Sequence, residues 1–168
     1  MTMKISTKGR YGLRVMIDLA TYSVDKHIPL REISKRQNIT IKYLEQIMTP
    51  LLRAGYVTSF RGNNGGYQLA CAPADVSVGE IIRTMEGSLA PVACLEGEEN
   101  TCPNRDVCQT LPVWERLDAL IGDYLNSISL QDLLNDDHQA HETCPLTQGR
   151  RSCCLLYTSD AADDCSIV

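Results

Sequence analysis

The sequence predicts a mainly α-helical protein with one small β-hairpin, and three observations carry that expectation. Apolar residues recur at helical spacing in successive segments before residue 55. A turn rich in glycine and asparagine, Gly62-Asn63-Asn64-Gly65-Gly66, then separates two short stretches suited to strands. A long apolar stripe returns between Pro112 and Ser127.

Leu13, Met16, Ile17 and Ala20 fall at i, i+3, i+4 and i+7, which predicts a first helix over Tyr11 to Ser23. Pro29 suits a first helical turn and opens a short second helix, Leu30 to Gln37. The third helix lies in "NITIKYLEQIMTPLLRAGYV". Thr40 caps it, Leu44, Ile47, Met48, Leu51 and Leu52 make its apolar face, and Gly55 stops it. Pro50 removes the bond to the carbonyl of residue 46, at roughly 3 kcal/mol in a regular helix, and so predicts a kink or a break. Tyr56 to Phe60 and Tyr67 to Leu69 then pair as a hairpin with Arg61 near its tip. Helix, short helix, helix and hairpin is the order of a winged helix-turn-helix, here assigned to residues 1–75.

Ser77 and Glu80 stand at capping-box spacing before a helix that ends at Gly87. Three cysteines follow in "ACLEGEENTCPNRDVCQT". Next, Val113, Trp114, Leu117, Leu120, Ile121, Tyr124, Leu125 and Ile128 form a stripe too wide for a helix lying on a small domain, which makes this the expected dimerisation helix. Ser129 begins a last short helix. Residues 76–136 therefore read as cysteine loop plus dimerisation helix, and residues 137–168 as a disordered tail. "CLLYTSDAADD", from Cys154, looks like translated read-through of a sequencing-library adapter, so residues 154–168 are set aside as an artefact.

The 168 residues contain no apolar run of membrane-spanning length and no signal region after MTMKISTKGR, which predicts a cytoplasmic protein without a membrane partner. Thiols stay reduced there, so the eight cysteines read as metal ligands or redox groups rather than a disulfide framework. Charge divides sharply along the chain. Residues 1–72 hold eleven Lys and Arg against four Asp and Glu, and residues 73–168 hold five against seventeen. A basic first half is the footprint of a protein that meets a polyanion. No acid–base pair or activated nucleophile stands out, so an enzyme is not expected.

Lys42, Glu45 and Gln46 form the polar face of the third helix, whose dimensions suit a DNA major groove. Arg61 on the glycine-rich wing suits a narrow minor groove. Lys4, Lys8, Arg10 and Arg14 suit phosphates at the start of the first helix. Two such heads related by a dyad would read a palindromic operator in double-stranded DNA, which fits a homodimer. Cys94, Cys102 and Cys108, spaced C-x7-C-x5-C, lack the paired spacing of zinc sites and suit a cluster completed by one non-cysteine ligand. Free or redox-active thiols are the alternative.

From Lys4 to about Asp136 the chain resembles the IscR-like family of iron–sulfur-sensing winged-helix regulators. The resemblance lies in "STKGRYGLRVMIDLA", "YLEQIMTPLLRAGYVTSFRGNNGGYQLA", "VSVGEIIRTMEG", the three cysteines and "VWERLDALIGDYLNSISLQDL". It implies a dimeric transcription regulator, with DNA contacts at Lys42, Tyr43, Glu45, Gln46 and Arg61 and cluster ligation at Cys94, Cys102 and Cys108. The implied cofactor is a 2Fe–2S cluster, or alternatively 4Fe–4S, sensing iron, redox or nitric oxide status. The chain departs from the family pattern at the fourth ligand. Leu111 stands where IscR members have histidine, and Arg10 where nitric-oxide-sensing relatives have an acid. Asp106, Glu96, Glu98 and Glu99 in the loop, and His138, His141 and Cys144 beyond the last helix, are the candidates. The competing expectation is a cluster-free, thiol-based or cysteine-responsive DNA-binding repressor.

Overall fold

A computed structural model describes residues 5–23, 26–62, 65–97, 100 and 102–135. Lys4, Glu98, Glu99, His138, His141, Cys144 and the expected tail and artefact lie outside the described residues.

Helix α1, Thr7–Tyr22, is the hub: α2 (Leu30–Gln37) and α3 (Ile41–Arg53) pack on it, as do α4 (Val78–Glu86) and α6 (Leu130–Asn135). With neighbours on more than one side, its buried centre is Val15, Met16 and Leu19, all fully buried, while the expected Leu13 and Ile17 are only partly covered. The helix starts four residues before the apolar periodicity suggests. Ser6 caps it, its hydroxyl accepting from the Lys8 and Gly9 amides at 3.0 and 3.3 Å. Glu86, at the far end of α4, completes the cap: Oε1 accepts from the Ser6 amide (3.0 Å), the Ser6 hydroxyl (2.7 Å) and the Gly9 amide (3.1 Å). A carboxylate there also meets the positive end of the helix dipole. The two helices approach so closely that a Cβ at Gly12 would lie 2.7 Å from Met85 Cγ.

In α3 the expected face is buried, with Leu44, Ile47 and Leu51 at 0 % exposure and Met48 at 1 %. The expected break at Pro50 is absent, and α3 runs unbroken to Arg53. Pro50 falls in the last turn, where little helix remains to be disrupted, and the fully buried Leu51 beside it anchors the backbone. The turn from α2 to α3 passes through Asn38 in the left-handed region (φ 55°), a conformation that asparagine tolerates. Beneath it, Asp18 is 2 % exposed and accepts from Arg36 Nε (2.9 Å), Arg36 Nη2 (2.6 Å) and Gln37 Nε2 (2.9 Å). This forked pairing locks α2 against α1.

Strands β1 (Val57–Phe60) and β2 (Gly66–Leu69) form the expected antiparallel hairpin, with Val57 opposite Leu69 and Phe60 opposite Gly66. The capping box opens α4 as the spacing implies, Glu80 accepting from the Ser77 amide and hydroxyl at 2.8 Å each. Ser129 and Asp132 repeat the device at α6. Val76, Ile81, Met85 and Leu130 join the apolar cluster built by α1 and α3. Short 3-10 turns at Ala93–Leu95 and Arg105–Val107 mark the cysteine loop, which leads into the long helix α5, Leu111–Ser127.

Candidate nucleic-acid interface and cysteine loop

Thr40 fixes the first turn of α3 by accepting from the Tyr43 amide. Lys42, Glu45 and Gln46 are exposed there, on the side opposite the buried Leu44, Ile47 and Met48. Tyr43 is half-buried, its ring edge-on to Tyr11 of α1 with centroids 5.9 Å apart. That contact sets the start of α1 beside the start of α3. Lys8 is half-buried in the first turn of α1, and Arg10 is exposed with its guanidinium 3.4 Å from the Thr7 hydroxyl. Arg14 is less free than its charge suggests, because it donates to the Gln37 side chain (3.1 Å) and backbone carbonyl (3.0 Å). It therefore braces α2 from α1.

Arg61 is exposed where β1 ends. The wing carrying it is joined to the segment before α2: the Ile28 amide donates to the Tyr67 carbonyl (2.8 Å), and the Tyr67 amide returns the bond (2.9 Å). The His27 and Phe60 rings pack with centroids 3.8 Å apart. A Cβ at Gly66 would lie 2.5 Å from the Ile28 carbonyl carbon, so only glycine admits this approach. A groove of about 990 Å³ runs between wing and α2, and both Arg31 and Arg61 line it. No motif in the sequence points to Arg31; the fold alone sets it across from Arg61.

Cys94, Cys102 and Cys108 are all half-buried free thiols on the loop between α4 and α5. The Thr110 hydroxyl, 3.4 Å from Cys108 Sγ, holds that thiol below its ordinary pKa, with further help from the Thr110 and Leu111 amides. Among the described residues, no three His, Cys, Asp or Glu side chains converge into a metal-holding group. Asp106 and Glu96 are exposed on the loop without joining such a group. Leu111 begins α5 and offers no ligand atom. In kind, the donors suit an iron–sulfur cluster. To hold one, the loop would have to draw its three sulfurs together.

Beyond the loop, α5 buries no residue completely. Val113 (61 % exposed), Leu117 (38 %), Leu120 (59 %) and Tyr124 (62 %) form one apolar row. No described helix is long and apolar enough to cross a membrane.

A helix-turn-helix head with a basic hairpin wing defines a winged-helix transcriptional regulator. The family model described as "Rrf2: Iron-dependent Transcriptional regulator" matches residues 5–136. The chain belongs to the Rrf2 family, whose members are DNA-binding regulators rather than enzymes. Protein rrf2 of Nitratidesulfovibrio vulgaris is 39 % identical over 134 residues, covering 80 % of this chain and 89 % of that protein. The structure of CymR (YrzC), the global cysteine regulator of B. subtilis, aligns at 40 % identity and a TM-score of 0.65, covering 80 % of this chain and 98 % of its own. The structure of T. potens IscR aligns at 38 % identity and a TM-score of 0.62, covering 84 % and 93 %.

Proposed function

We propose that this regulator is a cytoplasmic homodimer that reads a palindromic operator and carries an iron–sulfur cluster on Cys94, Cys102 and Cys108, with operator binding modulated by the cluster. In this reading residues 1–75 are the reading head and 76–136 the sensing and dimerisation part. Lys42, Tyr43, Glu45 and Gln46 enter the major groove, Arg61 enters the minor groove, and Lys8 and Arg10 meet phosphates. The palindrome follows from a dyad between two heads, each too small to cover a long site alone.

The observation that carries the sensing role is the loop's position. All three thiols lie between α4, which caps α1 through Glu86, and α5, whose apolar row is exposed among the described residues. A cluster, when bound, supplies iron–thiolate bonds that oxidants or nitric oxide attack. The chain's own part is transmission. A loop held in one conformation constrains the end of α4, and Glu86 relays its position to the turn bearing Lys8 and Arg10. A coupling of about 1–3 kcal/mol changes operator affinity by roughly 5- to 150-fold.

The test is anaerobic purification, followed by iron and sulfide analysis, visible absorption and titration of a duplex from the region upstream of its own gene. Coloured protein whose affinity changes when the cluster is removed is the expected result. Protein that stays colourless and iron-free after attempted reconstitution overturns the cluster, and thiol-dependent binding of that material would support the cluster-free reading instead. Leu111→His adds a donor at the start of α5 and is expected to slow loss of the cluster in air.

A further inference from the structure

Arg31 is exposed on the first turn of α2, and it shares the groove between α2 and the wing with Arg61. Neither arginine makes an ion pair or side-chain hydrogen bond among the described residues. Their neighbours differ in this respect. Arg36 on the same helix is taken up by Asp18 at 2.6 Å and Glu32 at 3.4 Å, and Arg14 is engaged by Gln37. Glu32, the carboxylate lining the groove, is itself paired with Arg36.

The walls of the groove are also held in register. The paired bonds between Ile28 and Tyr67, the His27–Phe60 ring contact and the close backing of Gly66 on Ile28 make one piece of the wing and the segment leading into α2. Two guanidiniums with no partner among the described residues, on opposite walls of a pre-set groove, suit a strand carrying regularly spaced anionic oxygens. Ile41, at the start of the reading helix, lines the same groove.

We propose that the groove between α2 and the wing seats one DNA strand, with Arg31 gripping a backbone phosphate beside the minor groove that Arg61 enters. Arg31 then supplies affinity without sequence preference and fixes the wing's depth. The inference rests on the DNA-reading role of α3 and the wing.

Phosphate contacts announce themselves through salt. Each one adds about 0.9 to the slope of log affinity against log salt concentration. The full chain and its Arg31→Gln and Arg31→Lys variants are titrated with a duplex of random sequence across a salt series. The Gln variant is expected to lose about 0.9 of slope per protomer, about 1.8 for the homodimer, so that its salt sensitivity between about 50 and 200 mM falls roughly 12-fold, while the Lys variant retains it. A Gln variant with the parent's slope overturns the role of Arg31 and leaves the reading head intact. A parent chain that binds no duplex overturns the DNA reading together with this inference.

Discussion

Helices α3 and α5 carry the same kind of sequence pattern and meet opposite fates. Both are amphipathic, yet α3 has Leu44, Ile47 and Leu51 wholly buried within its own chain, whereas α5 leaves Val113, Leu120 and Tyr124 about 60 % exposed. The core around α3 is closed within the described part of the chain, by α1, α4 and α6. The part around α5 is apolar on a side that is left exposed among the described residues. In the proposed reading, rigidity belongs to the surface that matches the duplex, and responsiveness to the side that a second protomer would cover.

The largest effect should come from opening the packed side. Ile47→Ala removes a fully buried side chain from α3 and is expected to cost about 2–5 kcal/mol, measurable by urea unfolding, with loss of DNA binding as the reading helix loosens. The same kind of truncation in α5 should leave the protomer nearly untouched. Leu120→Ala is expected to change protomer stability by less than about 0.5 kcal/mol, because the side chain is 59 % exposed. It should instead raise the dimer dissociation constant at least about tenfold, since burying a leucine at an interface is worth about 1.5–3 kcal/mol. Sedimentation showing unchanged association would erase the distinction between the two helices.

A smaller effect is expected in the loop. The Thr110 hydroxyl lowers the Cys108 pKa, so more thiolate is present at neutral pH than for an ordinary cysteine. In the cluster-free protein Cys108 should alkylate faster than Cys94 and Cys102, and Thr110→Val should slow it by less than about tenfold, followed by peptide mass spectrometry. Equal rates at the three thiols would remove the special place of Cys108. The smallest effect returns to the packed side. Glu80 lies below the usual carboxylate range because the Ser77 amide, then its hydroxyl, bond the ionised form. Its contribution is present above about pH 4.3 and lost as pH falls through the lowered folded value. At this exposed site the contribution is no more than about 0.5 kcal/mol, so Glu80→Gln should flatten the acid limb of the stability curve only slightly.

Where local chemistry decides, the sequence was a sound guide. Thr40 and the spacing of Leu44, Ile47, Met48 and Leu51 are enough to place α3 and its face. Ser77 with Glu80 likewise places α4, and the glycine-rich turn places the hairpin. These signals succeed because caps, turns and periodic faces involve neighbours a few residues apart. No break follows from Pro50, because a breaker matters less in a helix's last turn beside a buried leucine. The spacing of the three cysteines places them on one loop, between α4 and α5, but says nothing of how closely their sulfurs approach.

By itself, then, the sequence determined the order of elements, the winged-helix class, the exposed face of α3 and the basic character of the first 72 residues. Tertiary structure alone decided the rest. It brought Glu86 across 80 positions to cap α1, buried Asp18 under two side chains of α2, tied the wing to Ile28, and set Arg31 opposite Arg61. All of these join residues distant along the chain, and no local periodicity encodes which distant partner will satisfy a donor or share a groove.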